Sequence, residues 1–252
     1  MYSIAITRRP CRNFANGLTT SKLGKPDFNS MLNQHKTYVD TLKNLGLNVL
    51  ELDVLNDYPD AHFVEDTAVV VPEVAIIARP GAASRRGEEI SIEKELVKYR
   101  EIQKIEEPGT LDGGDILIVD KQVFIGLSDR TNQQGAQQLS DILLKYGYES
   151  KLINVEDGLH LKSDVNYIGQ TTLLLTKKYI ENPVFGNYKK IYVENEEAYS
   201  VNSLLINDKL IIPKGFAKTK LNLHQEGFNI IEIDMSESQK MDGGLTCLSL
   251  RF

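Results

Sequence analysis

Short runs of apolar residues recur along the chain in pairs, each pair separated by a polar two-residue turn. Residues 67–71 (TAVVV) and 74–79 (VAIIAR) form such a pair, and the pattern is typical of a β-hairpin. Residues 87–100 then carry apolar side chains at helical spacing, and a brief apolar run follows at 102–105. This stretch predicts the order strand, strand, helix, strand.

The same order returns in three later stretches of the chain. The second spans residues 115–155, the third 165–194 and the fourth 203–233, although the helical part of the third, residues 181–190, is poorly patterned. Repetition at a fixed period indicates that each stretch is one structural unit that packs against its neighbours.

The two ends of the chain complete a fifth unit between them. Residues 3–7 and 48–52 read as strands around a helix at 28–45, and residues 245–250 (LTCLSL) read as the missing strand, which carries Cys247. Five units of about 45 residues, the first completed by the last strand, fit a closed ring because a ring leaves no terminal repeat unpaired. The alternative, a doubly wound parallel sheet, would show single strands rather than hairpins before its helices.

Composition narrows the class of protein. The chain has 252 residues, is 41% hydrophobic and 25% charged, and has a formal net charge of −6, which is typical of a globular protein. The mild acidity and the lack of long basic runs argue against a nucleic acid or membrane partner. No apolar stretch approaches a membrane span and the start lacks the order of a signal peptide, so we expect a cytoplasmic protein. No linker interrupts the chain, and we expect one domain over residues 1–252.

Residues able to carry out chemistry recur at similar positions in the repeats. Glu65 and Asp66 precede the first hairpin, Asp112 precedes the second and His160 the third, at spacings of 46 and 48 residues, and Cys247 follows 87 residues later. Equivalent positions of a ring face one axis, so we expect these side chains to meet in one site. Taken singly, each has a structural explanation as a turn residue or a buried side chain.

Such a site favours nucleophilic attack on a cation. With two cysteines the chain cannot build a disulfide framework, and a cysteine with a histidine suffices for thiolate attack and proton transfer. Carboxylates oppose thiolate formation unless the substrate brings a positive charge, and a planar guanidinium suits them well. The same side chains can also bind zinc, but the chain lacks the Cys-x-x-Cys or His-x-x-x-His spacing of a dedicated zinc site.

The flanking segments offer groups for the rest of a substrate. Arg85 and Arg130 leave the first two hairpins, where they are placed to bind a carboxylate. Asp60 and Asp242 are further anions that can bind an ammonium group. The residues therefore indicate an amino acid that carries a guanidinium.

Six motifs resemble the dimethylarginine dimethylaminohydrolase family within the guanidino-group-modifying, or pentein, superfamily. They are FVEDTAVV (63–70), RPGAASRR (79–86), LDGGD (111–115), GLSDRTNQQG (126–135), DGLHLKSD (157–164) and DGGLTC (242–247). The resemblance extends over nearly the whole chain. It implies an α/β fold, a five-bladed α/β propeller of β-β-α-β units around a central active site. It also implies hydrolysis of Nω-methylated arginine to citrulline and a methylamine, with no metal or other cofactor.

The resemblance also implies a role for each matching residue. Cys247 is expected to be the nucleophile and His160 the acid and base, while Asp66 and Asp112, with Glu65 beside them, hold the guanidinium. The other expected substrate-binding or positioning residues are Leu18 at the tip of a lid, Asp60, Arg85, Arg130, Ser163 and Asp242.

Some alternatives remain open at this stage. A deiminase that acts on arginine or another guanidino compound would use the same residues, and a non-catalytic propeller that binds a macromolecule would share the architecture. Relatives include monomers and homodimers, and the sequence does not choose between them. The acidic surroundings lead us to expect a protonated Cys247 thiol until substrate binds.

Overall fold

Five three-stranded sheets arise from the strands of the described residues. The computed structural model describes residues 1–156 and 158–252, and Asp157, the first residue of one motif above, lies outside the described residues. The strands are β1 (Ile4–Arg8), β2 (Asn48–Leu52), β3 (Ala68–Val70), β4 (Val74–Ile77), β5 (Glu101–Lys104), β6 (Ile116–Val119), β7 (Gln122–Leu127), β8 (Glu149–Asn154), β9 (Val165–Gly169), β10 (Thr172–Thr176), β11 (Lys189–Val193), β12 (Leu204–Ile206), β13 (Lys209–Pro213), β14 (Ile230–Ile233) and β15 (Leu250–Arg251). The α-helices are α1 (Phe28–Asn44), α2 (Glu89–Leu96), α3 (Gln133–Leu144), α4 (Ala217–Gln225) and α5 (Ser236–Gln239).

Each sheet repeats one topology. Its first two strands form an antiparallel hairpin, and its third strand lies parallel to the second after a crossover, as in β3-β4-β5 and β6-β7-β8. The first strands of neighbouring sheets contact one another, for example β6 with β9 and β9 with β12. These contacts confirm the predicted propeller, in which the first strands surround the axis.

The ends of the chain close the ring. Strand β15 pairs antiparallel with β1, with Leu250 opposite Ile6, and β1 pairs in parallel with β2. The prediction that the last strand completes the first unit is confirmed, but its bounds and the placement of Cys247 on it were wrong. Residues Thr246–Leu248 form a 3-10 helix, and the strand itself is Leu250–Arg251.

The crossover of the third unit, residues 177–188, all of which the structure describes, contains no α-helix, although the repeated order predicted one at the poorly patterned residues 181–190. Two 3-10 helices, Lys177–Tyr179 and Pro183–Phe185, occupy this connection. Pro183 opens the second one because its missing N–H is not needed there, and the Asn182 side chain caps the N–H of Val184. Phe185 is fully buried and packs 5.1 Å from the ring of Phe124.

Apolar cores fill the spaces within and between neighbouring blades. One core joins the closing blade to the first hairpin and contains Ile6, Ile77, Leu96 and Leu250. A second packs α3 against the first and second hairpins. Among the described residues, no helix combines the length and apolar character needed to cross a bilayer.

We predict that shortening the buried side chain at the ring closure weakens the whole fold. Ile6 is fully buried, so Ile6→Ala should lower the free energy of unfolding by about 2–5 kcal/mol through lost contacts and a cavity. Val97 is 61% exposed and serves as the control, since Val97→Ala should change stability by no more than about 0.5 kcal/mol. Urea denaturation measures the free energy of unfolding of both variants, and an equal loss in the two would contradict the structural role given to the ring closure.

Candidate active site

The predicted catalytic residues Asp66, Asp112, His160 and Cys247 come from segments that immediately precede the first strands of different blades. A 3-10 helix contains or directly follows each of them, at Val64–Thr67, Gly113–Asp115, Leu161–Ser163 and Thr246–Leu248. These short turns come just before the strands that surround the axis, and they direct side chains into one pocket. Its lining residues are Leu18, Asp60, Phe63, Asp66, Arg85, Leu159, Arg130, His160, Met241, Asp242, Gly243 and Cys247.

Cys247 lies in the middle of the last of these turns rather than on a strand. The turn directs Sγ into the pocket, where the side chain is 9% exposed and the backbone N–H of Gly244 donates to Sγ at 3.3 Å. A strand at this position would be limited to alternating directions along its length, whereas the turn brings the nucleophile and its N–H donor together.

Burial is the main reason that the pKa of Cys247 is raised, to about 12. The negative charges of Glu65 and Asp66 raise it further, while the Gly244 N–H and the positive charge of Lys162 act in the opposite direction. The thiol is therefore protonated at neutral pH in the free protein.

His160 lies between two buried carboxylates. Its Nε2 is 3.2 Å from Asp112 Oδ2 and 4.0 Å from Asp66 Oδ1. Burial lowers the pKa of His160, but the charge of Asp66 and the hydrogen bond to Asp112 outweigh burial and raise the pKa to about 9. The ring is therefore an imidazolium at neutral pH and can donate a proton.

Asp112 is fixed from two sides. Its Oδ1 accepts from the N–H of Gly81 at 2.9 Å, and its backbone N–H donates to Thr131 Oγ1 at 3.1 Å. Burial raises the pKa of Asp112, but the hydrogen bond and charge of His160 leave it below its ordinary value. Ser163 does not line the pocket; its backbone N–H donates to the His160 carbonyl at 3.1 Å and fixes the local turn.

Asp66 faces the pocket and is held by Arg85. Arg85 Nη1 donates to Asp66 Oδ2 at 2.5 Å, and the Gly114 N–H donates to Asp66 Oδ1 at 2.9 Å. Arg85 also binds Glu88 through Nε and Nη2, with the Nη2 contact at 2.7 Å, and donates to the Phe63 carbonyl at 3.0 Å. Most N–H groups of Arg85 are thus committed to the protein, and one N–H of Nη1 is left for a ligand.

Glu65 points to the opposite side of the turn from Asp66. It accepts from Lys162 Nζ at 2.6 Å, Arg251 Nη2 at 2.9 Å and Thr246 Oγ1 at 2.7 Å. With these partners it lines the larger cavity along the axis, which the first strands surround. The structure therefore places Glu65 behind the pocket, where it acts on the thiol through charge.

The segment containing Leu18 borders the pocket. The Leu18 N–H donates to both oxygens of Asp60 at 3.1 Å, and the Thr20 N–H donates to Asp242 Oδ2 at 2.5 Å. Burial raises the pKa of Asp60, while Arg85 and the Leu18 N–H oppose that rise. The two aspartates thus hold this segment, in which Leu18 is 41% exposed.

Arg130 is the more accessible arginine. Its side chain is 18% exposed, and its Nη1 lies 3.9 Å from Asp112 Oδ2, beyond hydrogen-bond distance. Because Arg85 is largely committed to Asp66 and Glu88, Arg130 is the better placed of the two to bind an incoming carboxylate.

One cluster in the pocket has ligand atoms close enough to hold a cation. One atom each from Asp66, Asp112 and His160 lies within 4.8 Å of the others. Arg85 and Gly114 already bind the oxygens of Asp66, and Asp112 faces His160. The same carboxylates can accept the N–H groups of a guanidinium in one plane.

Several site residues were missing from the sequence prediction. Phe63, Leu159 and Gly243 line the pocket, and all stand within the motifs that supplied the predicted residues. Glu88 is fully buried against Arg85, although its sequence, Gly87-Glu88-Glu89, resembles an ordinary exposed helix start. The burial of Arg85, which the sequence does not show, explains why a second carboxylate besides Asp66 is needed to pair with its guanidinium.

Comparison with known proteins identifies relatives over the full chain. A family model described as N,N dimethylarginine dimethylhydrolase, eukaryotic, matches residues 25–249. A dimethylarginine dimethylaminohydrolase of Pseudomonas aeruginosa is 38% identical over 100% of both chains, and one of Streptomyces coelicolor is 34% identical over 98% of this chain and 96% of its own. The structure of a mutant of the Pseudomonas protein complexed with citrulline superposes with a TM-score of 0.98 over 100% of both chains. The resemblance given by the six motifs is confirmed.

We predict that alkylation of Cys247 in the free protein is slow at neutral pH. Since the thiol pKa is raised to about 12, the rate with iodoacetamide should rise about tenfold per pH unit from pH 7 to 10, as thiolate does. Asp66→Asn should increase the rate, because the charge of Asp66 raises that pKa. Mass spectrometry of the Cys247 peptide separates it from Cys11, and a rate that levels off below pH 7 would contradict the prediction.

We also predict a specific loss of stability at alkaline pH. The pKa of His160 is raised from its ordinary 6.5 to about 9, so its stabilising contribution is complete below about pH 6.5 and disappears as pH rises through 9. The difference in unfolding free energy between the wild type and His160→Gln should therefore shrink from pH 6 to pH 10. Urea denaturation across this range measures it, and a difference independent of pH would refute the assigned ionisation.

Proposed function

The chain belongs to the dimethylarginine dimethylaminohydrolase family, and from this premise we propose how it hydrolyses Nω-methylated arginine to citrulline and a methylamine. The observation that carries the proposal is the combination of Cys247, a protonated His160 and Asp66 in one small pocket, with the fully buried Asp112 in contact with His160 Nε2. A buried thiol among carboxylates is unreactive by itself, and a cationic substrate removes that obstacle.

Asp66 and Asp112 bind the guanidinium of the substrate. Both are buried and rigidly held, so their oxygens need little rearrangement to accept its N–H groups. The positive charge of the substrate offsets the carboxylates and lowers the pKa of Cys247. The thiol proton is then lost to solvent, and the resulting thiolate attacks the guanidinium carbon.

The first chemical step replaces nitrogen by sulfur on the guanidinium carbon. Cys247 Sγ forms a bond to this carbon, and the bond to the methylated nitrogen breaks as His160 gives that nitrogen its proton. A methylamine leaves, and the remaining carbon is held on Cys247 as a thiouronium. Protonation is required because an amide anion is a very poor leaving group.

The second step returns the thiol. His160, now neutral, takes one proton from a water molecule whose oxygen attacks the thiouronium carbon, and the carbon–sulfur bond breaks. The second proton of that water passes to Sγ, which restores the thiol and releases neutral citrulline. The overall change is the addition of one water and the loss of one methylamine. Asp112 holds the imidazole in place through both proton transfers, as its 3.2 Å contact with Nε2 suggests.

The amino acid end of the substrate lies under the segment containing Leu18. Arg130 binds the α-carboxylate together with the remaining N–H of Arg85, and Asp60 with Asp242 and its backbone bind the α-ammonium. Leu18 closes over the ligand, and Ser163 keeps His160 in place. Glu65 contributes negative charge from behind the pocket. The whole chain then acts as one catalytic domain.

The decisive experiment incubates purified protein separately with asymmetric dimethylarginine, monomethylarginine, arginine and agmatine. Asymmetric dimethylarginine and monomethylarginine should give citrulline, and agmatine, which lacks the carboxylate that Arg130 binds, should give at least about a tenfold lower kcat/KM. Cys247→Ser should lose at least about 10³-fold in kcat because the nucleophile is gone. Citrulline is quantified by its ureido group and the amine by mass spectrometry.

The controls separate the proposal from its alternatives. Turnover of arginine alone, with release of ammonia, would make the protein a deiminase. Undiminished turnover by Cys247→Ser would reject covalent catalysis, and Glu93→Gln, which alters only an exposed pair with Lys104, should leave all rates unchanged.

A further inference from the structure

The fourth blade also sends a polar residue toward the catalytic groups. Asn202 lies between the 3-10 helix Asn195–Val201 and β12, so it belongs to the segment just before the first strand of its blade, as Asp66, Asp112 and His160 do in the first three units. It lies 42 residues after His160 and 45 before Cys247, which divides the long interval between them into two ordinary repeats. Asn202 is 7% exposed, so its side chain is committed to the protein interior.

On one side, the Asn202 amide binds the residue next to the nucleophile. Thr246 donates its backbone N–H to Asn202 Oδ1 at 2.9 Å, and Asn202 Nδ2 donates to Thr246 Oγ1 at 3.2 Å. Thr246 Oγ1 in turn donates to Glu65 Oε2 at 2.7 Å. Thr246 is thereby fixed through both its backbone and its side chain.

The same amide lies against the start of the nucleophile turn. A Cβ on Gly244 would stand 2.3 Å from Asn202 Cγ, so only glycine leaves room for the amide there. The N–H of Gly244 is the group that donates to Cys247 Sγ. Asn202 thus contacts two residues of the segment that leads into Cys247, Thr246 and Gly244, and the second of these carries the N–H donor to Sγ.

On the other side, Asn202 reaches the segment that carries His160. Its Nδ2 also donates to the carbonyl of Lys162 at 3.2 Å. Lys162 belongs to the 3-10 helix Leu161–Ser163, which starts directly after His160, and the Ser163 N–H binds the His160 carbonyl. One side chain therefore connects the turn of the nucleophile to the turn of the acid.

We propose that Asn202 is a positioning residue that holds the Cys247 turn against the His160 turn and so sets the separation of sulfur and imidazole. An amide suits this place because it accepts from Thr246 N–H and donates to Lys162 O and Thr246 Oγ1 at once. The two catalytic groups come from different blades, and the first chemical step needs them on the same carbon and nitrogen. Displacements of about 1 Å at such a site can cost about 10²-fold in rate.

The chain contains a closely matched control. Asn166 is 4% exposed and its Nδ2 also donates to the Lys162 carbonyl, at 3.4 Å. Among the described residues the Asn166 side chain makes this one hydrogen bond, and it does not reach the nucleophile turn. Asn166→Ala and Asn202→Ala therefore remove a buried amide beside the same acceptor, and only the latter releases Thr246.

The inference rests on the roles proposed for Cys247 and His160, and its test uses two readouts. Asn202→Ala should lower kcat for dimethylarginine about 10- to 100-fold with KM within about threefold of wild type, because substrate-binding groups lie on other segments. Asn166→Ala should keep kcat within about threefold. Iodoacetamide labelling of Cys247 at pH 8 should change at least about threefold, in either direction, in Asn202→Ala alone.

Each outcome decides the proposal. Equal losses of kcat in the two alanine variants, or a rise in KM at constant kcat in Asn202→Ala, would overturn it. If the wild type does not hydrolyse dimethylarginine, the proposed function fails, and the labelling comparison alone decides whether Asn202 positions the thiol.

A second pair of variants covers the case in which Asn202→Ala does not fold. Thr246→Val removes the hydroxyl that binds Asn202 and Glu65, while Thr246→Ser keeps it. Thr246→Val should lower kcat at least about fivefold relative to Thr246→Ser with KM within about threefold. Equal kcat in these two variants would overturn the proposal.

Discussion

Burial of carboxylates next to a thiol is the constraint on which the rest of this site depends. Asp66, Asp112 and Glu65 are each no more than 3% exposed, and carboxylates at such depth are tolerated only with charged or N–H partners. Arg85 and Gly114 serve Asp66, Gly81 and His160 serve Asp112, and Lys162 with Arg251 serves Glu65. The partners neutralise enough charge to keep the fold intact, yet leave the pocket attractive to a cation.

The alternation of Glu65 and Asp66 divides the axis into two regions. Asp66 faces the small pocket, and Glu65 faces the larger cavity together with its cationic partners Lys162 and Arg251. Both charges still act on Cys247, because both raise the pKa of its thiol. A single dipeptide therefore supports the substrate pocket from the front and tunes its nucleophile from behind.

Much of the architecture could be predicted from the sequence, because hairpin and helix signals recur with a regular period and each unit buries its apolar face against the next. The position of Cys247 was predicted less well: the alternation in LTCLSL suggested a strand, but the contacts of Thr246 and Gly244 bend these residues into a turn. Glu88 and Asn202 escaped prediction for another reason. Their importance comes from partners distant in sequence, namely Asp66 through Arg85 for the one and Thr246 with Lys162 for the other. For Asn202 the repeat period did contain a signal, since it halves the interval between His160 and Cys247.

Closure of the propeller by β15 and β1 links assembly of the catalytic centre to completion of the tertiary structure. The turn that carries Cys247 ends two residues before β15, whose partner strand β1 lies some 240 residues earlier in the chain. A partly folded chain can form its individual blades from local contacts, but it cannot present an oriented sulfur to an imidazole until its two extremities have met. We therefore expect a molecule in which β15 has not paired with β1 to be inactive, so that catalytic activity indicates that this long-range pairing has formed.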